Sequence, residues 1–184
     1  MKPDFTKAEK KELAFIHVLA DILKKLPDSK LQDVALNEMD KEQPALQNLA
    51  RFFYLKGNYS PDQMTAIIRL CILMWWYYKD RLKVPHVKIA DALFLKKKAE
   101  YDDFIKRTYG KSKAQNNYLM EENLKDHSGR FLLGYIHALI YREKSSAFMS
   151  LPSEQKVIVS INFRVMIDCF ESLTDRSIVP VYLI

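Results

Sequence analysis

The chain has 184 residues, with 29 Lys/Arg against 23 Asp/Glu, and close to half of its residues are apolar. That length and balance exclude a disordered chain and suffice for a buried core without disulfide or metal staples. Only four glycines occur, Gly57, Gly110, Gly129 and Gly134, which argues against a turn-rich sheet protein and against a Gly-rich phosphate loop.

Abundant Leu, Lys, Ala, Glu and Met favour helix throughout. The first helix should begin near Thr6, where Thr6-Lys7-Ala8-Glu9 fits a reciprocal cap: the hydroxyl takes an end amide while the Glu reaches back. Leu13, Ile16, Leu19, Ile22, Leu23 and Leu26 recur at helical steps and form one inward stripe. Pro27 ends it. Asp28 or Ser29 starts a short second helix through Val34, Leu36 and Met39, and Pro44 suits the first turn of a third, with Leu46, Leu49, Phe52, Phe53 and Leu55. Gly57-Asn58 closes that helix, as left-handed C-terminal caps commonly do.

Ser60-Pro61-Asp62-Gln63 is the clearest start signal in the chain, with Ser as cap, Pro in the first turn and Gln completing the box. The segment it opens, Met64 to Tyr78, includes nine consecutive apolar residues from Leu70 to Tyr78. It is apolar all round, so it predicts a helix surrounded by others. Nine residues fall far short of the roughly 20 that cross a bilayer.

A long basic helix is expected from about Pro85 to Thr108, ending at Gly110, with a thin inward stripe of Val87, Ala90, Phe94, Tyr101 and Ile105. Residues 110–117 read as a flexible loop. A short helical stretch, Tyr118 to Lys125, precedes a helix from about Arg130 to Lys144 with Leu132, Tyr135, Ile136 and Leu139 inward. The last helix opens near Pro152 and carries Val157, Ile158, Ile161, Val165, Met166, Phe170 and Leu173. Its polar stripe is Lys156, Ser160, Arg164, Asp168 and Glu171, with Arg164 and Asp168 one turn apart. Residues 177–184 change character: Ile178-Val179-Pro180-Val181-Tyr182-Leu183-Ile184 is β-branched, apolar and barred from helix by its proline. Such a tail either packs back onto the bundle or serves self-association or partner binding.

The expected fold is therefore all-α: a single helical domain over residues 1–184, a bundle of about six to seven helices around a central apolar helix at 64–78, with an extended C-terminal tail. No signal-peptide pattern is read at the N-terminus, and the expected location is cytoplasmic. Cys71 and Cys169, each inside an apolar helical stretch, are expected to be buried thiols acting as small hydrophobes.

Charge placement is the first functional clue. Residues 79–113 hold 11 Lys/Arg against 5 Asp/Glu, whereas the rest of the chain holds 18 of each. The whole net charge of +6 thus sits in one stretch. Its cations are Lys79, Arg81, Lys83, Lys88, Lys96, Lys97, Lys98, Lys106, Arg107, Lys111 and Lys113, interleaved with Phe94, Tyr101, Phe104 and Tyr109. Such a stretch attracts an acidic protein surface or nucleic acid. No paired CxxC, HExxH, GxSxG, Walker loop or GxGxxG occurs, so no cofactor or metal is expected. His17 and Asp21, one turn apart, read as a surface pair beside Lys10 and Lys24.

His127, Arg130, Gly134, His137 and Tyr141 recur at steps of three and four and share a face if the helix begins early enough to include His127. Gly134 there would admit another backbone or a ligand. The spacing of Arg130 and His137 resembles the R-x(4–6)-H pattern of HEPN-type ribonucleases, which are all-α and assemble their site across a dimer. The resemblance covers those two residues and the fold class. Phe131 stands where that family commonly carries a polar residue. Arg81 and His86 repeat the spacing with Pro85 between them. The resemblance implies that Arg130 steadies a phosphate and His137 moves a proton at the RNA 2′-OH. Two functions are thus expected in turn: a non-enzymatic helical binding, adaptor or assembly protein docking an acidic partner through its basic face, or a metal-independent ribonuclease.

Overall fold

Reciprocal caps set where the first long helices start. The structure is a computed structural model that describes residues 5–56, 58–81, 88–108, 110–112, 115, 119, 123, 127 and 129–174. The Thr6 amide donates to Glu9 Oε2 at 2.7 Å and the Glu9 amide to Thr6 Oγ1 at 3.3 Å, opening α1 (Lys7–Lys25). Ile16, Ala20 and Leu23 form its buried stripe. Pro27 ends the helix, and a continuous helical stretch follows: α2 (Asp28–Asp33), a π-helical turn (Val34–Met39) and α3 (Asp40–Glu42). The sequence suggests one short helix there. Leu31, Ala35 and Met39 are buried at four-residue steps, a spacing that drifts by about 40° per step on an α-helix. The wider π turn drifts the other way and keeps all three facing inward.

The next helix, α4 (Pro44–Lys56), buries Leu46, Leu49 and Phe53. Beyond it Asn58 takes φ +80°, a left-handed conformation that Asn tolerates better than most residues. The cap of α5 (Pro61–Arg81) forms as expected: the Ser60 amide donates to Gln63 Oε1 at 2.7 Å and the Gln63 amide to Ser60 Oγ at 3.3 Å. Gln63 is itself buried and donates onward to Ser150 Oγ at 3.0 Å. Every residue from Leu70 to Trp75 is buried, as are Ile67, Tyr77 and Tyr78. α5 touches α1, α2, the π turn, α4 and two later elements, so an all-round apolar sequence has become an all-round packed helix.

Three further helices complete the described fold: α6 (Asp91–Lys106), α7 (Arg130–Tyr141) and α8 (Ser153–Thr174), with a 3₁₀ turn at Ala147–Ser150 before the last. α7 packs on α1 and α8, while α6 lies chiefly on α8. α8 contributes Val159, Phe163, Met166, Ile167, Cys169 and Phe170 to the core. The Tyr78 and Phe170 rings stack at 4.5 Å and 7°. Burial of each large side chain contributes about 1.5–3 kcal/mol, which explains why α5 and α8 anchor the bundle.

The fold is all-α, and the described residues contain no strand. None of their helices is long and apolar enough to cross a membrane. Some sequence expectations are corrected. Ile22, Phe52, Leu55, Val157 and Ile158, which periodicity sends inward, are exposed, because no element among the described residues covers those edges of the helices. The basic helix does not run from Pro85: residues 88–90 are non-helical and α6 starts at Asp91 behind an extended Ala90 N-cap, while α7 stops at Tyr141 rather than Lys144. Most of the 110–117 loop, most of the stretch 118–125 and the tail 177–184 lie outside the described residues.

Candidate functional site

The basic segment spans the end of α5, the approach to α6 and α6 itself. Of its expected inward stripe, Phe94, Tyr101 and Ile105 are half-buried, Ala90 is exposed because it precedes the helix, and Val87 lies outside the described residues; burial raises the Tyr101 phenol above its ordinary range. These aromatics serve packing and do not form an exposed stacking platform. Lys96, Lys97 and Lys98 are consecutive, so they fan round the helix at about 100° per residue and cannot share one face. Lys96 points outward, while Lys97 and Lys98 flank the buried side.

Several cations are neutralised locally. Lys97 pairs with Glu100 at 2.8 Å, Lys98 with Asp102 at 2.9 Å, and Lys106 with Asp103 at 2.9 Å. Lys79 pairs with Glu42 at 3.0 Å and lies over the Trp75 ring at 4.7 Å. Lys88, Lys96, Arg107 and Lys111 are exposed and enter no ion pair among the described residues. Lys83, Lys113 and the side chain of Arg81 lie outside the described residues.

Alongside α6 runs a cavity of about 590 Å³ bounded by α4 and α8. Phe94, Lys98 and Asp102 form its α6 wall, and Phe52, Lys56 and Ile158 face them. The exposure of Phe52 and Ile158 has its explanation here: they border an open apolar groove instead of a packed interface. Periodicity marks such residues as apolar but carries no information on whether another helix covers them.

The α7 face assembles differently from the expected stripe. The helix begins at Arg130, so His127 precedes it and turns elsewhere. Its Nε2 meets Asp168 Oδ1 at 2.6 Å, and its Nδ1 accepts the Gly129 amide at 3.1 Å. A ring nitrogen that accepts carries no proton, so the hydrogen sits on Nε2 and is donated to Asp168. Asp168 also accepts from Arg164 Nε at 2.9 and 3.1 Å, and Arg164 Nη2 donates to Asn123 at 2.9 Å. The sequence shows the Arg164–Asp168 spacing, but nothing local signals a partner 41 residues away.

Gly129 is buried where this cluster meets Tyr78 and Glu171, themselves bonded at 2.5 Å. A Cβ there would lie 2.7 Å from Ile167 Cγ2 and 2.9 Å from the Tyr78 hydroxyl, so glycine is required for space. At Gly134 a Cβ would meet nothing within 4 Å; that glycine is exposed and is not held open by a close neighbour.

Arg130 donates to Glu9 Oε1, the other oxygen of the carboxylate that caps α1. Hydrogen bonds from Thr6, with the Arg130 guanidinium beside them, hold the Glu9 carboxyl below its usual range. His137 lies two turns on, exposed, its ring 4.6 Å from that of Tyr141. Burial of part of the ring, reinforced by Arg142, lowers its pKa. Arg130 and His137 therefore engage different neighbours within one chain. His17 packs edge-on against Tyr135 at 5.4 Å, while Asp21 faces Lys24 at 4.0 Å. Both cysteines are buried, and burial pushes their thiols up to about 12, which keeps them protonated and poorly nucleophilic. Among the described residues no group of His, Cys, Asp and Glu comes together to hold a metal. No protein-family model, curated protein or solved structure matches the chain.

Proposed function

We propose that this chain is a non-enzymatic helical binding protein that docks an acidic protein partner on the cations at Lys96 and at the two ends of α6. The observation that carries the reading is the confinement of the net charge of +6 to residues 79–113, with Lys88, Lys96, Arg107 and Lys111 exposed and unpaired among the described residues. Unneutralised surface cations concentrated in one segment attract a complementary acidic face and speed its encounter.

A protein partner fits better than nucleic acid. Exposed Leu95, and the apolar groove behind Lys98, offer contacts to side chains. An acidic amphipathic helix has the matching chemistry, with its apolar edge toward Phe52 and Ile158 and its carboxylates toward the cations.

Fluorescence anisotropy with a labelled acidic amphipathic peptide, single-stranded RNA and duplex DNA at two salt concentrations tests this. The peptide is expected to bind, to weaken as salt rises, and to be lost when Lys88, Lys96, Arg107 and Lys111 are changed together to Gln. Tighter binding of RNA with a steep salt slope would replace the protein partner by nucleic acid. No binding by any of the three would end the reading.

A further inference from the structure

A second cavity, of about 520 Å³, opens between α1, α5, α7 and the turn before the 3₁₀ helix. Leu23, Ala66, Leu73, Leu139 and Phe148 give it an apolar wall. Arg69 also lines it. The side chain is 33% exposed, but its Nε atom is closed off and has no hydrogen-bond partner among the described residues. Its Nη2 meets Asp28 Oδ1 at 3.4 Å, a long contact to a carboxylate whose side chain is 75% exposed. A buried charged donor without an acceptor is costly, and an exposed ion pair of that length holds little.

Nε–H and Nη2–H together form the side-on edge of a guanidinium, the edge that grips a carboxylate or phosphate with two parallel hydrogen bonds. Here one donor of that edge is empty and the other is weakly held. Lys24 adds a second cation to the lining; Asp28 and Asp62 also line the cavity and disfavour a second acidic group on the ligand. Thr65 and Ser146 contribute hydroxyls. We propose that this cavity binds a small organic monoanion, its acidic group on the Nε–Nη2 edge of Arg69 and its apolar body against Leu73 and Phe148. The acid displaces Asp28 into solvent and supplies the acceptor that Nε–H lacks.

The probe is 1-anilinonaphthalene-8-sulfonate, an anion with an apolar body, compared with N-phenyl-1-naphthylamine, which has the same rings and no charge. Fluorescence titration of the full chain is expected to show one sulfonate site, weakened about tenfold or more in Arg69→Gln and partly restored in Arg69→Lys, with the neutral dye indifferent to both. Octanoate should displace the sulfonate from the wild-type chain and 1-octanol should not. That pair of competitors decides the matter without mutation if Arg69→Gln fails to fold. Equal sulfonate affinity in wild type and Arg69→Gln, or equal displacement by octanol and octanoate, would overturn the proposal.

Discussion

The two helices α5 and α6 are neighbours in the chain and opposites in how they are held. α5 presents buried residues on every side, from Ile67 to Tyr78, and its neighbours close round it. α6 has no fully buried residue; it rests on α8 through a half-buried stripe and is laced by exposed ion pairs between its own side chains. Such pairs contribute little each, so α6 depends on a single packed face. A helix of this kind opens at lower free energy than the core; its own four Lys balance its four Asp/Glu, and the excess positive charge sits on the segments that flank it. The difference separates the helix that holds the protein together from one that rests on its surface.

That contrast can be broken by experiment. Trp75→Ala should cost about 3–5 kcal/mol through the cavity it leaves in α5, whereas Leu95→Ala on α6, at 64% exposure, should stay within about 0.5 kcal/mol. Urea unfolding followed by circular dichroism measures both, and equal losses would refute the division. Next in size, Asp168→Ala should cost about 2–3 kcal/mol, less than for a fully buried pair, because it strands both Arg164 and His127; the same change in Asn123 should be much milder. Gly129→Ala should follow at about 1–3 kcal/mol, since the new methyl drives into Ile167 and the Tyr78 hydroxyl. Gly134→Ala, with open space around it, should be stabilising by a few tenths to about 1 kcal/mol in mid-helix.

The smallest expected effects sharpen the picture of the surface. Lys98→Ala removes an exposed one-turn pair and should change stability by no more than about 0.5 kcal/mol. His137 has a folded-state pKa below its unfolded value because part of the ring is buried. Its neutral form is therefore the one favoured by folding. Its contribution is present above the unfolded pKa and is lost as pH falls through the folded one. The wild-type chain should lose slightly more stability than His137→Gln between pH 7 and pH 5; NMR titration of the ring should give a midpoint below that of a free histidine, and a midpoint above it would contradict the burial.

Legibility in the sequence follows the range of each interaction. Both reciprocal caps, at Thr6 and Ser60, act over three residues and were readable from residue type and spacing. So were the all-round apolar character of α5 and the part of the α6 stripe formed by Phe94, Tyr101 and Ile105, because burial on one or all sides leaves its period in the sequence. The confinement of charge to residues 79–113 needs no structure at all. Helix class and the burial of the cysteines belong to the same local information.

What only the tertiary structure decided lies between elements. Whether Phe52 and Ile158 are core or groove depends on whether a neighbour happens to cover them, which periodicity does not encode. The partner of His127 sits 41 residues away, and that of Arg130 sits 121 residues away on α1; no local pattern reports contacts made by chain crossings. The buried Nε–H of Arg69, without an acceptor among the described residues, is likewise invisible in sequence, since it depends on which groups of other elements pack against it. Short-range chemistry therefore specified the helices, and long-range packing chose which of their polar groups meet and which are left facing a cavity.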